Sequence, residues 1–369
     1  MTFPKSRSRL IPFLLLVAAV LGSGFWFFRA RSQRPWRPTS AELTTPKLAL
    51  AHLPEQPIFF TSAARDWLAK EKPALIPAAA SDPQSAFSKK LIQAVQEPTA
   101  FRELDRDTRF AGVWLLGDPS WFKPLLEHLI ETNDFTLSYV DHSSIVFRRA
   151  GGSESAAMDP IASAQVFNDP RERAYFLAHA GSRLALLRKG EEAARCLKAA
   201  EQSSSNIPDV WYGWSTYRMT KGDWDNALTA ADRSLALDKN FIPGLACKVQ
   251  SLFSMKRFNE AYKLSERLIA SSPEDPAILF YHAKLAHEAR AFDSEIEALQ
   301  RLVALGQKAG INVSGYRIYL AQALAHRGDG DDAKNQLTIA LLDTSLPREQ
   351  RKRADELLAH IQEQMKKLN

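Results

Sequence analysis

The sequence predicts a mainly α chain: a solenoid of about five helical hairpins closed by a capping helix, preceded by a small α/β domain and an N-terminal transmembrane helix. Three observations predict it. From residue 174 the pattern of apolar and small residues recurs every 34 residues, residues 57–149 alternate strand-length apolar runs with helical ones, and residues 10–28 carry no charge. A repeat of that period describes units that cannot bury their apolar faces alone and stack to do so.

The N-terminus comes first. "MTFPKSRSR" is a cationic lead, and "LIPFLLLVAAVLGSGFWFF" (Leu10–Phe28) follows with no charge over 19 residues. At 1.5 Å rise per residue it reaches about 28 Å, close to the roughly 30 Å hydrocarbon core of a bilayer. Phe25, Trp26, Phe27 and Phe28 stand where an aromatic belt would lie, just ahead of Arg29 and Arg31. A cleaved signal peptide is the alternative, but no small-x-small site follows and the run is long for one. Residues 1–28 therefore read as a single-pass anchor in the lipid bilayer. Lys5, Arg7 and Arg9 precede it, and Arg29, Arg31, Arg34 and Arg37 follow, so the positive-inside count is nearly tied and slightly favours a cytoplasmic C-terminal part. The short cationic lead has the form of an uncleaved export signal. The soluble part is accordingly expected on the periplasmic or extracytoplasmic side of a bacterial inner (cytoplasmic) membrane.

Charge narrows the partners. The chain is +6 overall, but residues 1–50 hold eight Lys or Arg and a single acid, Glu42. The remaining 319 residues carry 40 basic and 41 acidic side chains. A nucleic-acid binder needs a basic stripe on its folded part, so no nucleic-acid partner is expected. Cys196 and Cys247 fall on different helices and are expected as free thiols.

Residues 29–56, with four prolines, read as a linker. In the domain 57–149, "PIFF" (57–60) and "ALIP" (74–77) read as buried strands. "SDPQSAFSKKLIQAVQ" reads as a helix with Asp82 as N-cap and Pro83 at its first position. "FAGVWLLG" (110–117) is a strand, and "SWFKPLLEHLIET" a helix with Pro124 in its first turn or at a kink. "FTLSYVDHSSIVFRR" alternates on both sides of a polar turn at Asp141–Ser144, as a β-hairpin does. This ending resembles the small soluble C-terminal domain of bacterial polytopic membrane proteins of the glycosyltransferase kind. Leu137, Tyr139, Asp141, Val146, Phe147 and Arg149 carry the resemblance and are expected as framework residues. It implies an extracytoplasmic accessory domain and transfers no catalytic residue.

A second linker, 150–173, leads to the array at 174–369. Frames of 34 residues begin at Ala174, Pro208, Ile242 and Pro276, and after four extra residues (310–313) a fifth begins at Ser314. The eighth places hold Gly181, Ser215, Val249, Ala283 and Ala321; the twentieth hold Ala193, Ala227, Ala261, Glu295 and Ala333. The twenty-seventh hold Ala200, Ser234, Leu268, Leu302 and Ala340. A final amphipathic helix, from about Glu349 to Lys366, would close the end. The pattern resembles the tetratricopeptide repeat family. The copy at 208–241 is nearest, with Trp211, Gly222, Asp223, Trp224, Ala227, Leu235, Leu237 and Asp238. Small residues let paired helices approach, and Trp224, Phe258 and Phe292 fill the gap to the next unit. Glu295, and Lys256 and Arg290 where hairpin-turn glycines belong, depart from the pattern.

Catalytic patterns are weak. "HEA" at His287 lacks the second ligand of a zinc motif, Asp105 and Asp107 form an Asp-x-Asp pair without a nucleotide-binding frame, and "RGDGDDA" (327–333) lacks the glutamate of a calcium loop. "AGSRL" at Gly181 lacks the glycine a nucleophile elbow needs after its serine. No enzyme activity, metal or small-molecule cofactor is expected. The family resemblance instead implies a concave groove for a protein or peptide partner, lined by Tyr175, Ser182, Tyr212, Thr216, Met219, Gln250, Phe253, Phe280, Lys284, His287, Gln322 and His326. That lining is aromatic and amide-rich with one lysine, unlike a basic clamp for C-terminal carboxylates, and suits an apolar or mixed peptide. The expected function is a non-catalytic, membrane-anchored scaffold in cell-envelope or surface-polysaccharide assembly. The alternative is an enzyme or carbohydrate-binding accessory component with its site in 57–149.

Overall fold

The structure, a computed structural model, describes residues 36–40, 43, 46–151, 159–308, 312–344 and 346–368. The expected anchor Leu10–Phe28 lies outside them. Among the described residues no helix is long and apolar enough to cross a membrane. The chain divides between Ser251 and Leu252 into two compact units.

The first unit opens with a four-stranded sheet in the order β1-β2-β4-β3. Strand β1 (Phe59–Phe60) runs parallel to β2 (Gly112–Leu116), and the hairpin β3 (Phe135–Val140) and β4 (Ser144–Arg149) is antiparallel, with a bulge between Leu137 and Tyr139. Helices α1 (Arg65–Glu71), α2 (Ala86–Ala94), α3 (Pro98–Thr108) and α4 (Lys123–Glu131) accompany it. Phe59 meets Phe101 and Phe110 edge-on, with ring centroids at 5.1 and 5.7 Å. Trp114 is fully buried, and its indole donates to Ser144 Oγ at 3.1 Å. Each such aromatic contributes roughly 1.5–3 kcal/mol by leaving water.

Two sequence expectations change here. Residues 74–77 are not a strand: Pro73–Leu75 form one 3-10 turn, and the Leu75 carbonyl accepts from Ile58 N at 3.0 Å. Prolines at 73 and 77 fix φ on both sides and leave too few donors for a ladder. The next helix starts at Ala86 rather than Pro83. Asp82 accepts from Gln84 N (2.8 Å) in a turn of its own, and Ser85 Oγ caps the helix by accepting from Ser88 N (3.1 Å). Pro124 does sit in the first turn of α4. The linker before the sheet is packed where it is described: Thr39 N and Ser40 N donate to Glu172 at 2.7 and 2.8 Å, and Leu43, Ala49 and Leu53 are buried.

The helical hairpins follow on their expected frames. The first unit holds α5 (Pro170–Leu186) with α6 (Gly190–Ser203), α7 (Pro208–Thr220) with α8 (Trp224–Leu237), and α9 (Ile242–Ser254) up to Ser251. The second holds the end of α9 with α10 (Phe258–Ser271), then α11 (Pro276–Glu288) with α12 (Phe292–Lys308), α13 (Ser314–Arg327) with α14 (Gly330–Leu341), and α15 (Arg348–Leu368) as the closing helix. The fifteenth residue of every frame is left-handed: Arg188 at φ 61°, Gly222 at 72°, Lys256 at 61°, Arg290 at 59° and Gly328 at 102°. The eighth, twentieth and twenty-seventh places are buried in all five copies. At the first hairpin the reason is visible. A Cβ on Gly181 would stand 2.9 Å from Leu197 Cγ, closer than carbon atoms pack. Ser215 and Ser234 are accommodated by donating to the Ala227 and Pro208 carbonyls at 2.8 and 2.9 Å.

Candidate partner-binding pocket

In the first unit the groove positions are taken by the chain itself. The β3–β4 turn is rigid: Asp141 is fully buried, its Oδ1 accepts from Ser143 N and Ser144 N, both at 2.7 Å, and Tyr139 Oη donates to Oδ2 at 2.8 Å. Arg183, on α5, holds this turn. Its Nε donates to the Asp141 carbonyl at 2.8 Å, and its Nη2 donates to those of His142 (2.8 Å) and Gly117 (3.1 Å). The His142 ring lies 5.9 Å from Tyr175, Trp36 lies 6.2 Å from Tyr175, and His179 bridges by a 2.9 Å contact to Asp209. Tyr175, Ser182, Tyr212, Thr216 and Gln250, which the family resemblance placed on the groove lining, are therefore buried, and Met219 is half-buried against the cluster of Tyr212, Phe241 and Cys247. Burial holds the His142 imidazole down to about 4 despite the neighbouring Asp141 carboxylate.

In the second unit the corresponding positions border a cavity of about 280 Å³. Phe253, Phe280, Lys284, His287 and Gln322 all line it. Ala283, Glu288, Glu295, Leu299 and Tyr319 line it too, together with Arg353 from the closing helix. Phe280 and Tyr319 pack edge to face at 5.1 Å. Lys284 Nζ lies 5.8 Å from the Phe280 centroid, and the Arg353 guanidinium lies 5.2 Å from that of Tyr319 while donating to Gln322 Oε1. Each cation thus rests on an aromatic face, worth about 0.5–1 kcal/mol. His326 is exposed and is not part of the lining, its ring stacked on Phe292 at 5.6 Å.

Glu295 gives this pocket its floor. It occupies a twentieth place that is alanine in the other four copies, and it is 5% exposed. Its two oxygens contact His287 Nδ1 at 3.0 and 3.1 Å. That hydrogen bond raises the His287 pKa against the opposing effect of burial. Burial lowers the pKa of Lys284 and of His326, with His287 adding repulsion to the latter.

The remaining motifs resolve into structure. Asp105 lies in α3, where it accepts from Phe110 N at 3.1 Å and from Arg149 Nη2, tying the helix end to β4; Asp107 is exposed beside Arg106. Arg149 also donates to the Phe110 carbonyl at 2.7 Å, and Tyr139, Val146 and Phe147 are buried, so the hairpin residues act as framework. Residues 327–333 make the last interhelix turn around Gly328, with Arg327 pairing to Asp329 and Asp293. Cys196 and Cys247 are free and buried, their thiols pushed up to about 12 and about 11 by burial. Among the described residues, no group of three or more His, Cys, Asp or Glu is placed to hold a metal ion.

Among the contributors that escaped the sequence reading are Tyr319, Arg183 and Arg353. Tyr319 sits at the sixth place of its frame and Arg183 at the tenth, outside the positions the family uses, and Arg353 comes from a helix with no place in the repeat. Arg183 had one signal, a lone charge in an otherwise apolar stretch of α5.

Five helical hairpins on 34-residue frames, the fifth set off by four extra residues and each turning through a left-handed fifteenth residue, define a helical-hairpin repeat fold. No protein-family model and no curated protein matches the chain. Solved structures similar to it include residues 41–end of MamA from Desulfovibrio magneticus RS-1, at 21% identity over 50% of this chain and 96% of that one, with a TM-score of 0.40. Pseudomonas aeruginosa PilF is similar at 16% identity over 52% and 91%, with a TM-score of 0.39. YrrB, described as a TPR protein with an unusual peptide-binding site, is similar at 12% identity over 55% and 100%, with a TM-score of 0.44. At those values the class rests on the repeat geometry of the chain itself.

Proposed function

We propose that this protein is a non-catalytic scaffold that recruits a partner protein through the pocket of its second unit. The observation that carries the reading is the convergence of Phe280, Tyr319, Lys284, Gln322 and Arg353 on one cavity, where aromatic faces and hydrogen-bond donors meet beside the carboxylates of Glu288 and Glu295. Such a surface anchors an extended peptide or a helix by an apolar side chain and orients it by polar groups. The uncharged segment Leu10–Phe28 supports a place at a bacterial inner membrane, and its cationic lead supports a soluble part outside the cytoplasm. The resemblance of residues 57–149 to the soluble domain of glycosyltransferase-kind membrane proteins supports a role in cell-envelope or surface-polysaccharide assembly.

The test is affinity capture with the full chain in native membranes, comparing wild type with Phe280→Ala/Tyr319→Ala. One partner recovered with wild type and lost by at least tenfold with the variant is the expected result. A partner retained by that variant, but lost when residues of the α/β region are changed, would move the function to residues 57–149. An alkaline phosphatase fusion at the C-terminus, active only outside the cytoplasm, tests the side of the membrane.

A further inference from the structure

A second site of different character lies in the α/β region. A cleft of about 820 Å³ gathers four cations from three separate stretches of the chain, Lys72, Arg109 and the neighbours Arg148 and Arg149, against one acid, Glu55. Its lining is thus three charges positive, or two once Asp105, which pairs with Arg149, is counted. This stands against 40 basic and 41 acidic side chains for everything beyond residue 50. The arginines are not loose. Arg148 donates through Nε and Nη2 to the His52 carbonyl at 3.1 and 3.0 Å, and both bonds go to a neutral acceptor, so its charge stays uncompensated. Lys72 and Arg109 have no carboxylate partner within ion-pair distance among the described residues, and Arg109 is exposed. Arg109 also ends α3 in the left-handed region, at φ 52°, where glycine would cost less.

We propose that this cleft binds a phosphate-bearing ligand, its phosphate taken by Arg109 and Lys72 beside the fixed guanidinium of Arg148. Charge complementarity selects the group: a phosphate monoester carries about −1.5 to −2 at pH 7 and presents three acceptor oxygens to fork-shaped donors. The cleft is far larger than one ion, within the roughly 300–1,000 Å³ of small-molecule sites. Leu53, Pro54 and Ala111 line it as well and offer an apolar wall for the rest of the molecule. The same chemistry is found in a soluble phosphate ester and in a phospholipid head group.

The unusual backbone at Arg109 supplies a test that misfolding cannot imitate. Arg109→Gly removes a charge while relieving a left-handed conformation, so it should hold or raise the melting temperature. The full chain, in micelles of a neutral detergent, is titrated with glycerol 3-phosphate, and separately floated with vesicles of phosphatidylcholine containing phosphatidic acid, all at physiological salt. Saturable binding of glycerol 3-phosphate, weakened about tenfold by Arg109→Gly and further by adding Lys72→Met, supports a soluble phosphate ester. Flotation dependent on phosphatidic acid and lost in the double variant, without binding of the soluble probe, supports a head group. If neither probe binds, or if the folded double variant binds as wild type does, the proposal is wrong. Neither result touches the partner pocket, which lies in the other unit.

Discussion

Replacing Arg188, Lys256 and Arg290 by glycine should stabilise the array. All three occupy the fifteenth place of a hairpin with φ between 59° and 61°, where two other copies use Gly222 and Gly328. A side chain there costs roughly 1–2 kcal/mol through the clash of Cβ with the following carbonyl. Glycine returns about 0.5–1 kcal/mol of that as unfolded-chain entropy, so each site should gain about 0.5–1 kcal/mol. The sites lie 34 residues or more apart, and their gains should add to about 2 kcal/mol. The converse is equally clean. A Cβ on Gly222 or Gly328 would meet nothing within 4 Å, so Gly222→Ala and Gly328→Ala pay only the backbone term and should lose about 1 kcal/mol each. Urea denaturation with unchanged m-values, read with hydrogen exchange to separate the unit of Arg188 from that of Lys256 and Arg290, measures both series. If the triple glycine variant is no more stable than wild type while Gly222→Ala and Gly328→Ala are neutral, the left-handed turn does not govern these hairpins.

Arg183→Met strips donors from three carbonyls and should cost about 3 kcal/mol, seen as faster exchange confined to the β3–β4 turn and α5. His142, held at about 4 against an ordinary 6.5, favours the fold while neutral; its contribution is complete above pH 6.5 and is lost as pH falls towards 4. The shift corresponds to about 3 kcal/mol, and His142→Gln should flatten stability over that window in pH-dependent melting. Glu295→Ala should lower the His287 pKa by NMR titration. In wild type that pair adds stability fully below pH 6.5, fading as pH rises through the elevated value.

The array was legible because its physics is local and repeated. Position by position, Ala193, Ala227, Ala261 and Ala333 report the same close approach, and Trp211 to Asp238 display one copy almost entire. The α/β region has no internal copies, so Ala74–Pro77 passed for a strand by apolarity alone, although the prolines at 73 and 77 work against a ladder. The site was legible only where the repeat dictates it. Phe280, Lys284, His287 and Gln322 come together on the frame, whereas Arg353 arrives from outside the frame and Arg183 finds its carbonyls 41 to 66 residues away. Nothing in a 34-residue period encodes those distances. Glu295 was visible as a departure from the frame, but its meaning required His287 to be seen across the hairpin.

The hold of Arg183 on the β3–β4 turn also bears on how the chain folds as it is made. Residues 59–149 leave the ribosome ahead of α5, and their strands pair through contacts internal to that stretch. When α5 emerges, three fixed carbonyls already wait for its guanidinium, and its otherwise costly nucleation takes place on a template. A chain with the same repeats but no preceding sheet would have to begin folding from an unsupported helix, and synthesis in the opposite order would expose every apolar face in turn.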